Sequence, residues 1–320
     1  MEHKNKLITI LVPCFNEEEM LPLFYKEVCG VIDTMSNYRW ELLLVNDGSH
    51  DNTKAIVELM RKADKRISFI SLSRNFGKEA AMLSGLDYSK GDAVIVMDAD
   101  LQDPPSLIPE MLKCWEEGYD DVYCKRKSRG RESWIKKRLS LAYYRLLQKM
   151  TRFDILPNVG DFRLLDRKCV DALIRLRETE RYTKGLFAWI GFKKKELLFD
   201  RDNRQKGRSA WSFSLLFNLA IEGITSFSMV PLRFSSILGL IVSVFAFIYM
   251  GITFVKALIW GDPVAGYPSL MIIILFLGGV QLLSIGIVGE YLGKIFNESK
   301  NRPPYIVEKY ESDYDSSDKV

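Results

Sequence analysis

Two long apolar runs near the end of the chain constrain its fold more than any other feature. The runs are Ser235–Trp260 and Ser269–Leu292, and each contains a single charged residue, Lys256 and Glu290 respectively. Each run has about the length that a helix needs to cross a bilayer. The segment 261–268 between them is short and rich in turn-forming residues, so we expect an antiparallel helical hairpin. A hairpin buried in a soluble protein is the alternative, and the length of the runs favours membrane spans.

The charges that flank the two runs predict the orientation of this hairpin. Arg233 precedes the first run, three basic residues follow the second between 294 and 302, and segment 261–268 contains no Lys or Arg. Basic residues accumulate on the cytoplasmic side of membrane proteins. Residues 1–6 are polar and show no secretory signal pattern. We therefore expect a multi-pass protein of the inner (cytoplasmic) membrane, with the N-terminal domain and both termini in the cytoplasm.

The overall charge balance excludes one class of partner. Lys and Arg number 45 and Asp and Glu number 41 in 320 residues, giving a net charge of +4. This excess is too small to predict nucleic-acid binding. The five cysteines show no CxxC spacing, which is typical of free thiols in a reducing compartment.

The first part of the chain alternates short apolar segments with segments of helical periodicity. The predicted strands are Leu7–Val12, Trp40–Val45, Ile67–Leu72 and Ala93–Met97, and the predicted helices are Leu21–Met35, Asp51–Ala63 and Gly77–Tyr88. The strands are apolar almost throughout, as strands buried on both faces are. This alternation predicts an α/β domain with a mostly parallel sheet.

Polar clusters follow three of the predicted strands. Asn16–Glu18, Asp47 and Asp98–Asp100 each come directly after a strand, where crevices for ligands open in α/β sheets. A GxGxxG pattern is absent, so a dinucleotide site of the Rossmann type is not expected.

The Asp98-Ala-Asp100 triplet is the most informative of these clusters. Two carboxylates separated by one small residue can present oxygens to one hard cation, and Mg²⁺ completes its octahedron with phosphate oxygens and water. Such a cation would neutralise the charge that develops on a departing diphosphate. An isolated DxD is often a solvated turn, but its place at a strand end favours a binding site.

Several motifs together resemble glycosyltransferase family 2, which has the GT-A fold. These motifs are Val12-Pro-Cys-Phe-Asn-Glu-Glu18, Val45-Asn-Asp-Gly-Ser49, Ser73-Arg-Asn-Phe-Gly77 and Asp98-Ala-Asp-Leu-Gln-Asp-Pro-Pro105. Later segments resemble the polyisoprenyl-phosphate branch, which includes bactoprenol glucosyltransferases and dolichol-phosphate mannose synthases: Gly160-Asp-Phe-Arg-Leu164, Arg181-Tyr-Thr-Lys-Gly-Leu186, Trp189-Ile-Gly-Phe192 and the paired apolar runs. The resemblance extends to Tyr305-Ile-Val307 and so covers nearly the whole chain.

This resemblance implies a reaction and its partners. The expected reaction is inverting transfer of a sugar from a nucleotide-sugar, with UDP preferred as the nucleotide, to undecaprenyl phosphate or another polyisoprenyl phosphate. The expected cofactor is Mg²⁺ or Mn²⁺, and the lipid-linked sugar would serve cell-envelope glycosylation. Relatives in this branch suggest a homo-oligomer such as a tetramer.

The resemblance also assigns roles to individual residues. The nucleotide-sugar would be bound by Pro13, Phe15, Glu17, Asp47, Asp98, Ala99 and Gln102, and the metal by Asp98, Asp100 and Gln102. Asp100 and Asp161 are the expected catalytic residues. Asp161 matches the acidic residue proposed as catalytic base, yet a lipid phosphate is already ionised near neutral pH. Asp161 can therefore equally orient the acceptor or the sugar, or simply cap a turn beside Gly160.

The acceptor phosphate is expected at the basic runs, because arginine binds phosphate through paired hydrogen bonds. The candidates are Arg126, Arg131, Arg201, Arg204, Arg208 and Ser209. The family usually has a Gly-x-Ser-Lys patch here. This chain reads Gly207-Arg-Ser-Ala210, so Arg208 would replace the missing lysine.

The resulting domain plan has four parts. Residues 1–210 form the cytoplasmic GT-A domain, residues 211–233 an interfacial amphipathic region, and residues 234–296 the two spans at about 235–260 and 269–293. Residues 297–320 form a cytoplasmic tail that is disordered from Glu311 on. Trp134–Met150 is a second candidate for a helix at the membrane surface, or else a helix packed on the sheet.

Two other functions remain open at this stage. A processive polysaccharide synthase also joins this type of domain to spans, but it needs more helices and a Gln-x-x-Arg-Trp motif that this chain lacks. A lipid-carrier flippase or a non-catalytic scaffold would leave the DxD unexplained.

Overall fold

The computed structural model describes residues 5–126, 148, 159–179, 181–199, 230–260 and 266–314. These residues belong to two compact units. The first contains a sheet with its flanking helices, and the second contains two long apolar helices.

Among the described residues, the first unit contains eight strands and six α-helices. Its strands are β1 Leu7–Cys14, β2 Arg39–Asn46, β3 Ile67–Leu72, β4 Ala93–Val96, β5 Asp121–Arg126, β6 Val159–Asp166, β7 Lys194–Phe199 and β8 Val307–Glu311. Its helices are α1 Leu21–Ile32, α2 Thr53–Ala63, α3 Lys78–Tyr88, α4 Ile108–Glu116, α5 Arg167–Leu173 and α6 Thr183–Trp189, with a short 3₁₀ turn at Pro105–Leu107.

The strands form one sheet in the order β7-β5-β6-β4-β1-β2-β3-β8. The four central strands, β4, β1, β2 and β3, run parallel to one another. Their side chains are buried on both faces; Ile8, Ile10, Leu11 and Val12 of β1, for example, are inaccessible to solvent. The predicted α/β domain with a mostly parallel sheet is confirmed, and it has the arrangement of a GT-A domain.

The helices pack on this sheet through regularly spaced apolar residues. In α1 the buried residues Leu21, Phe24 and Val28 recur every three or four positions, which places them on one face of the helix. Helix α3 lies close to the sheet at Gly85, where a Cβ would lie 2.0 Å from Leu11 Cδ1. Because glycine has no side chain, α3 can lie directly against β1, and this fixes the start of α3 beside the end of the strand.

All seven predicted elements of this domain are present, and some ends differ by a few residues. Helix α1 ends at Ile32 rather than Met35, because Met35 N–H bonds to the Ile32 carbonyl three residues back. Helix α2 begins at Thr53 rather than Asp51, because the Asp51 side chain accepts the Thr53 N–H in the preceding turn.

Strand β6 is antiparallel to both neighbours. Its register with β4 pairs Ala93 with Asp166 and Val96 with Arg163. Continued by two residues, this register sets Asp161 opposite Asp98. The pairing of β5 with β6 shifts between Tyr123 and Lys125, so β6 contains extra residues at this point. Bulges of this kind re-aim side chains, and they often occur next to active sites.

Residues 303–314 of the C-terminal tail belong to the first unit, and residues 311–314 are ordered there, which corrects the expectation that the tail is disordered from Glu311 on. Strand β8 pairs antiparallel with β3 and includes Glu311, whose partner is Phe69. Beyond the strand, Ser312 Oγ lies 2.8 Å from Ser68 Oγ, and Tyr314 OH donates to the Trp40 carbonyl over 2.7 Å. The exposed edge of a sheet favours such pairing, because its backbone donors and acceptors are otherwise unused.

The strongest polar attachment of this tail is Arg61 of α2. Its side chain is only 10% exposed, and it bonds to Glu311 at 3.2 Å, to Asp313 at 2.8 Å and to the Ile67 carbonyl. Lys54, in contrast, meets Glu308 at 2.7 Å with both side chains largely in solvent. The first contact therefore stabilises the tail more than the second.

The described part of the second unit contains α7, Val230–Trp260, and α8, Tyr267–Ser299, which pack against each other. Within the described residues, two helical stretches have the length and composition needed to cross a membrane, Val230–Tyr249 and Phe276–Ser299. The predicted pair of apolar helices is confirmed. The two candidate interfacial segments, Trp134–Met150 and residues 211–233, lie outside the described residues except for Gln148 and residues 230–233. These four residues belong to α7, which corrects the expected boundary between the interfacial region and the first apolar helix.

We predict that Arg61→Met lowers the free energy of unfolding by about 1–3 kcal/mol, because the Ile67 carbonyl, Glu311 and Asp313 each lose a charged hydrogen bond. The matched variant Lys54→Met, which removes an exposed ion pair with the same tail, changes it by less than about 0.5 kcal/mol. Denaturation of the full chain in detergent, followed by the fluorescence of buried Trp40 and Trp115, measures both. Equal losses in the two variants would contradict the tail attachment described here.

Candidate active site

The carboxyl ends of β1, β2 and β4 meet at one edge of the sheet because these strands are parallel neighbours. Asn16, Asp47 and Asp98 follow these ends, so three chain segments with polar side chains converge there. Phe15 is 41% exposed at the same edge. Pro13, the last-but-one residue of β1, pairs with Val45 of β2.

Hydrogen bonds tie the segment after β1 to the segment after β2. Asn16 N–H donates to Ser49 Oγ over 3.0 Å, and Glu17 N–H donates to Thr53 Oγ1 over 2.8 Å. Asn16 has a φ of +57°, a left-handed conformation that asparagine tolerates better than most residues. The backbone around Glu17 is thus held in place by side chains of the neighbouring segment.

Asp47 organises a third segment, the loop between β3 and α3. Its carboxylate accepts the backbone N–H of Phe76 over 2.7 Å and that of Gly77 over 2.9 Å. Burial raises the pKa of Asp47, while these two hydrogen bonds and the charge of Arg74 oppose the rise. Asp47 therefore fixes the start of α3, a contact that the sequence did not predict for it.

The loop from β3 also packs directly on Gly48. A Cβ at this position would lie 2.3 Å from the carbonyl carbon of Arg74 and 2.4 Å from Asn75 N. Gly48 has a φ of +64°, where residues with side chains are strained as well. Only glycine satisfies both constraints, so the Asp47–Gly48 turn and the loop before α3 form one interlocked structure.

The DxD triplet follows β4. Ala99 is buried, whereas Asp98 and Asp100 are partly accessible. Asp100 Oδ1 accepts the Gln102 N–H over 3.1 Å, which forms a tight turn. Leu101, within this turn, has a φ of +56°, which costs on the order of 1–3 kcal/mol for such a residue. Backbone strain of this size is typical of ligand-binding and catalytic sites, which favours a functional role for the DxD turn.

Lys78, the first residue of α3, connects the DxD to Asp161. Its Nζ lies 2.7 Å from Asp98 Oδ1 and 2.9 Å from Asp98 Oδ2. The same Nζ lies 2.7 Å from Asp161 Oδ2. Two carboxylates from neighbouring antiparallel strand ends therefore share one ammonium group, as the β4–β6 register requires. The charges of both carboxylates raise the pKa of Lys78 and outweigh the opposing effect of its burial.

Asp161 is the more buried of the two carboxylates. Its side chain is 10% exposed, and burial alone would raise its pKa. The charges of Lys78 and Lys184 outweigh burial and hold that pKa below its usual value. Its second oxygen, Oδ1, is buried and has no hydrogen-bond partner among the described residues. An ionised oxygen of this kind is suited to accept a hydrogen bond from a ligand.

Comparison with known proteins identifies the family. Residues 9–174 match the family described as Glycosyl transferase family 2, and residues 230–295 match the one described as GtrB C-terminal hairpin. The chain belongs to glycosyl transferase family 2.

Full-length relatives agree with this assignment. A protein of Synechocystis, named an uncharacterized glycosyltransferase, is 45% identical over 94% of this chain and 94% of its own. The bactoprenol glucosyl transferase of Shigella phage SfII is 43% identical over 94% of this chain and 97% of its own. The prophage bactoprenol glucosyl transferase homolog of Escherichia coli K12 is 41% identical over 94% of this chain and 98% of its own.

Among the predicted acceptor residues, one lies within the described part of this family 2 domain. Arg126 ends β5, and its Nη2 would lie 3.7 Å from a Cβ on Gly160, the residue before Asp161. Its Nε is buried and has no hydrogen-bond partner among the described residues. The other predicted residues, Arg131, Arg201, Arg204, Arg208 and Ser209, lie outside the described residues.

The two carboxylates of the DxD suit a hard cation whose remaining coordination positions are filled by a bound substrate. The described residues contain no group of three or more His, Cys, Asp or Glu side chains arranged to hold a metal. Asp98 and Asp100 offer oxygen ligands only, which Mg²⁺ and Mn²⁺ accept, and two carboxylates leave most positions to phosphate and water. The donor set thus fits a cation that binds together with a diphosphate.

Sequence reasoning missed several residues of this site. Lys78 and Glu79 begin α3, and Glu79 accepts both the N–H and the hydroxyl of Thr183 at the start of α6. Burial and the charge of Asp161 raise the pKa of Glu79. A signal for Lys78 was present, because it follows the Ser73–Gly77 motif at the carboxyl end of a parallel strand. Its pairing with β6 depends on a long-range register that local patterns do not contain.

We predict that Gly48→Ala lowers the free energy of unfolding by more than about 3 kcal/mol, because the overlap with the Arg74 backbone adds to the strain of a positive φ. Gly118→Ala is the matched control: its φ is +86°, no heavy atom would lie within 4 Å of the new Cβ, and the expected loss is about 1–2 kcal/mol. Chemical denaturation measures both, and a Gly48→Ala loss no larger than the control's would contradict the interlocked turn.

Proposed function

We propose that this chain transfers a sugar, with inversion, from a UDP-linked donor to undecaprenyl phosphate at the cytoplasmic face of the inner membrane. The convergence of Asp98 and Asp161 on one point at the carboxyl edge of the sheet carries this proposal. The full-length similarity to bactoprenol glucosyl transferases supports the lipid acceptor. The two apolar helices support a location in the membrane, and the product would serve cell-envelope glycosylation.

In this proposal the donor lies across the carboxyl ends of β1, β2 and β4. The exposed ring of Phe15 offers a face for the base, Glu17 reaches the ribose hydroxyls, and Asp47 accepts a hydrogen bond from the base with a remaining lone pair. Asp98, Asp100 and Gln102 hold Mg²⁺ or Mn²⁺ against the diphosphate. The cation would stabilise the charge on the leaving nucleoside diphosphate.

The reaction requires one bond to form and one to break. A phosphate oxygen of the acceptor attacks the anomeric carbon from the face opposite the diphosphate, and the electron pair of the broken C–O bond leaves with the diphosphate. No proton has to move, because the acceptor phosphate is already ionised near neutral pH. An α-linked donor therefore gives a β-linked lipid product.

This balance favours an orienting role for Asp161. Lys78 and Lys184 keep it ionised, and its buried Oδ1 has an unused lone pair. We assign to it a hydrogen bond from a hydroxyl of the transferring sugar, which holds the anomeric carbon in line between the two phosphates.

The decisive experiment measures transfer from a panel of radiolabelled nucleotide-sugars to undecaprenyl phosphate, with detergent-purified protein and Mg²⁺, Mn²⁺ or EDTA. We expect a lipid-linked product from one UDP-sugar, with a β linkage by NMR and no product in EDTA. Asp100→Asn and Asp161→Asn should each lower kcat by about a hundredfold or more. Folded, UDP-binding protein that forms no lipid-linked product from any donor would refute the acceptor assignment.

Arg126 provides a separate test of the acceptor site. Its buried, unpartnered Nε and its place beside Gly160 suit it to bind the lipid phosphate. We predict that Arg126→Met raises the KM for undecaprenyl phosphate about tenfold or more, the value of one charged hydrogen bond, and leaves the donor KM within about twofold.

The neighbouring Lys125 is the matched control, because it is already paired with Glu196 at 2.9 Å. Lys125→Met should leave both KM values within about twofold. A rise in the donor KM with Arg126→Met would instead place Arg126 on the nucleotide side.

A further inference from the structure

Lys78 occupies the oxygens that a metal at the DxD would use. Its Nζ contacts both carboxylate oxygens of Asp98, at 2.7 and 2.9 Å. A divalent cation binds carboxylate oxygens at about 2.0–2.2 Å, and an ammonium group bonded to both oxygens of Asp98 leaves it fewer lone pairs and repels it, so the two cations compete. In the structure, the positive charge beside Asp98 is therefore the ammonium group of Lys78.

Lys78 lies at a helix position that is unfavourable for a positive charge, so its place there depends on the carboxylates around it. As the first residue of α3 it lies at the positive end of the helix dipole, where a cation costs about 0.3–1 kcal/mol. The groups that face it are Asp98 and Asp161, with Glu79, Lys184 and Arg163 close enough to influence Asp161 or its neighbours. The two carboxylates offset the unfavourable helix position, so the lysine is held by the site and not by the helix.

The side chain has room to change partners. It is 43% exposed and Asp98 is 35% exposed, whereas Asp161 is 10% exposed. The contact with Asp98 is the one open to solvent and to an incoming ligand. A diphosphate that arrives beside Asp98 offers new oxygens to the ammonium group, which can leave Asp98 and still contact Asp161.

On the basis of the proposed function, we propose that Lys78 is a positioning residue that closes the metal position at Asp98 until the donor diphosphate arrives. Without nucleotide, Lys78 neutralises Asp98 and competes with the metal. With nucleotide, Lys78 moves to the diphosphate and Asp98 becomes available. Metal and donor then bind as a coupled pair, so that neither assembles the site alone.

The test measures Mn²⁺ binding, not turnover. Free Mn²⁺ is titrated by electron paramagnetic resonance into the full-length chain in detergent, with and without UDP. We expect Lys78→Met to bind Mn²⁺ about tenfold more tightly than the wild type in the absence of UDP, because one competing charge is gone. Lys78→Arg, which keeps the charge, should stay within about threefold. UDP should increase the Mn²⁺ affinity of the wild type about tenfold more than that of Lys78→Met.

Two control variants separate competition between Lys78 and Mn²⁺ from the general electrostatic effect of removing a positive charge. Lys184→Met also removes a positive charge that acts on Asp161, and it should change Mn²⁺ affinity by less than about twofold. The double variant Lys78→Met with Asp98→Asn should lose the tenfold gain, because the released oxygens are then absent. Circular dichroism and UDP binding confirm that each variant is folded.

Each contrary result has a distinct meaning. Unchanged Mn²⁺ affinity in folded Lys78→Met overturns the competition and leaves the proposed reaction untouched. An equal gain in Lys184→Met also overturns it, because the effect would then be that of net charge. If no variant binds Mn²⁺ even with UDP, the metal assignment in the proposed function fails and this inference fails with it.

Discussion

The antiparallel pairing of β4 with β6 is the constraint on which the rest of the site depends. In a purely parallel sheet the carboxyl ends of the strands would bring together only Asn16, Asp47 and the DxD. Because β6 runs the other way, its beginning lies at the same edge, and the register that pairs Val96 with Arg163 carries Asp161 towards Asp98. Both carboxylates then meet Lys78. A shift of one residue in this register would turn Asp161 to the opposite face of the sheet.

The loop before α3 transmits this arrangement to the rest of the edge. Phe76 and Gly77 donate their backbone N–H groups to Asp47, and the next residue, Lys78, contacts Asp98 and Asp161. The proposed nucleotide end and the proposed transfer end of the site are thus joined by three consecutive residues. Two close contacts flank these residues. Gly48 packs against Arg74 in the loop before them, and Gly85 packs against Leu11 further along α3. Each glycine permits a close approach that a side chain would block.

The sequence predicted what local patterns encode and missed what distant pairings decide. Apolar runs such as Leu7–Val12 are typical of buried parallel strands. The polar residues that follow these runs lie at the carboxyl edge of the sheet, as the sequence predicted. Strand β8 was missed because three of the five residues of Val307–Glu311 are charged, so that the segment resembles the acidic tail that follows it. It forms only because β3 presents an open edge. Lys78 was missed for the same kind of reason: its importance comes from Asp161, 83 residues later.

The tail has a consequence for how the chain folds. The apolar pair α7 and α8 is inserted within the sequence of the first unit, because β8 follows it and belongs to that unit. The tail reaches the active-site loop as well, since Ser73 N–H donates to the Ile306 carbonyl over 2.9 Å at the start of the loop that leads to Lys78. The sheet edge at β3 therefore stays open until both apolar helices have been made. Completion of the domain and of its loop thus depends on residues that emerge after the two apolar helices, so the first unit is completed only when the second has been synthesised.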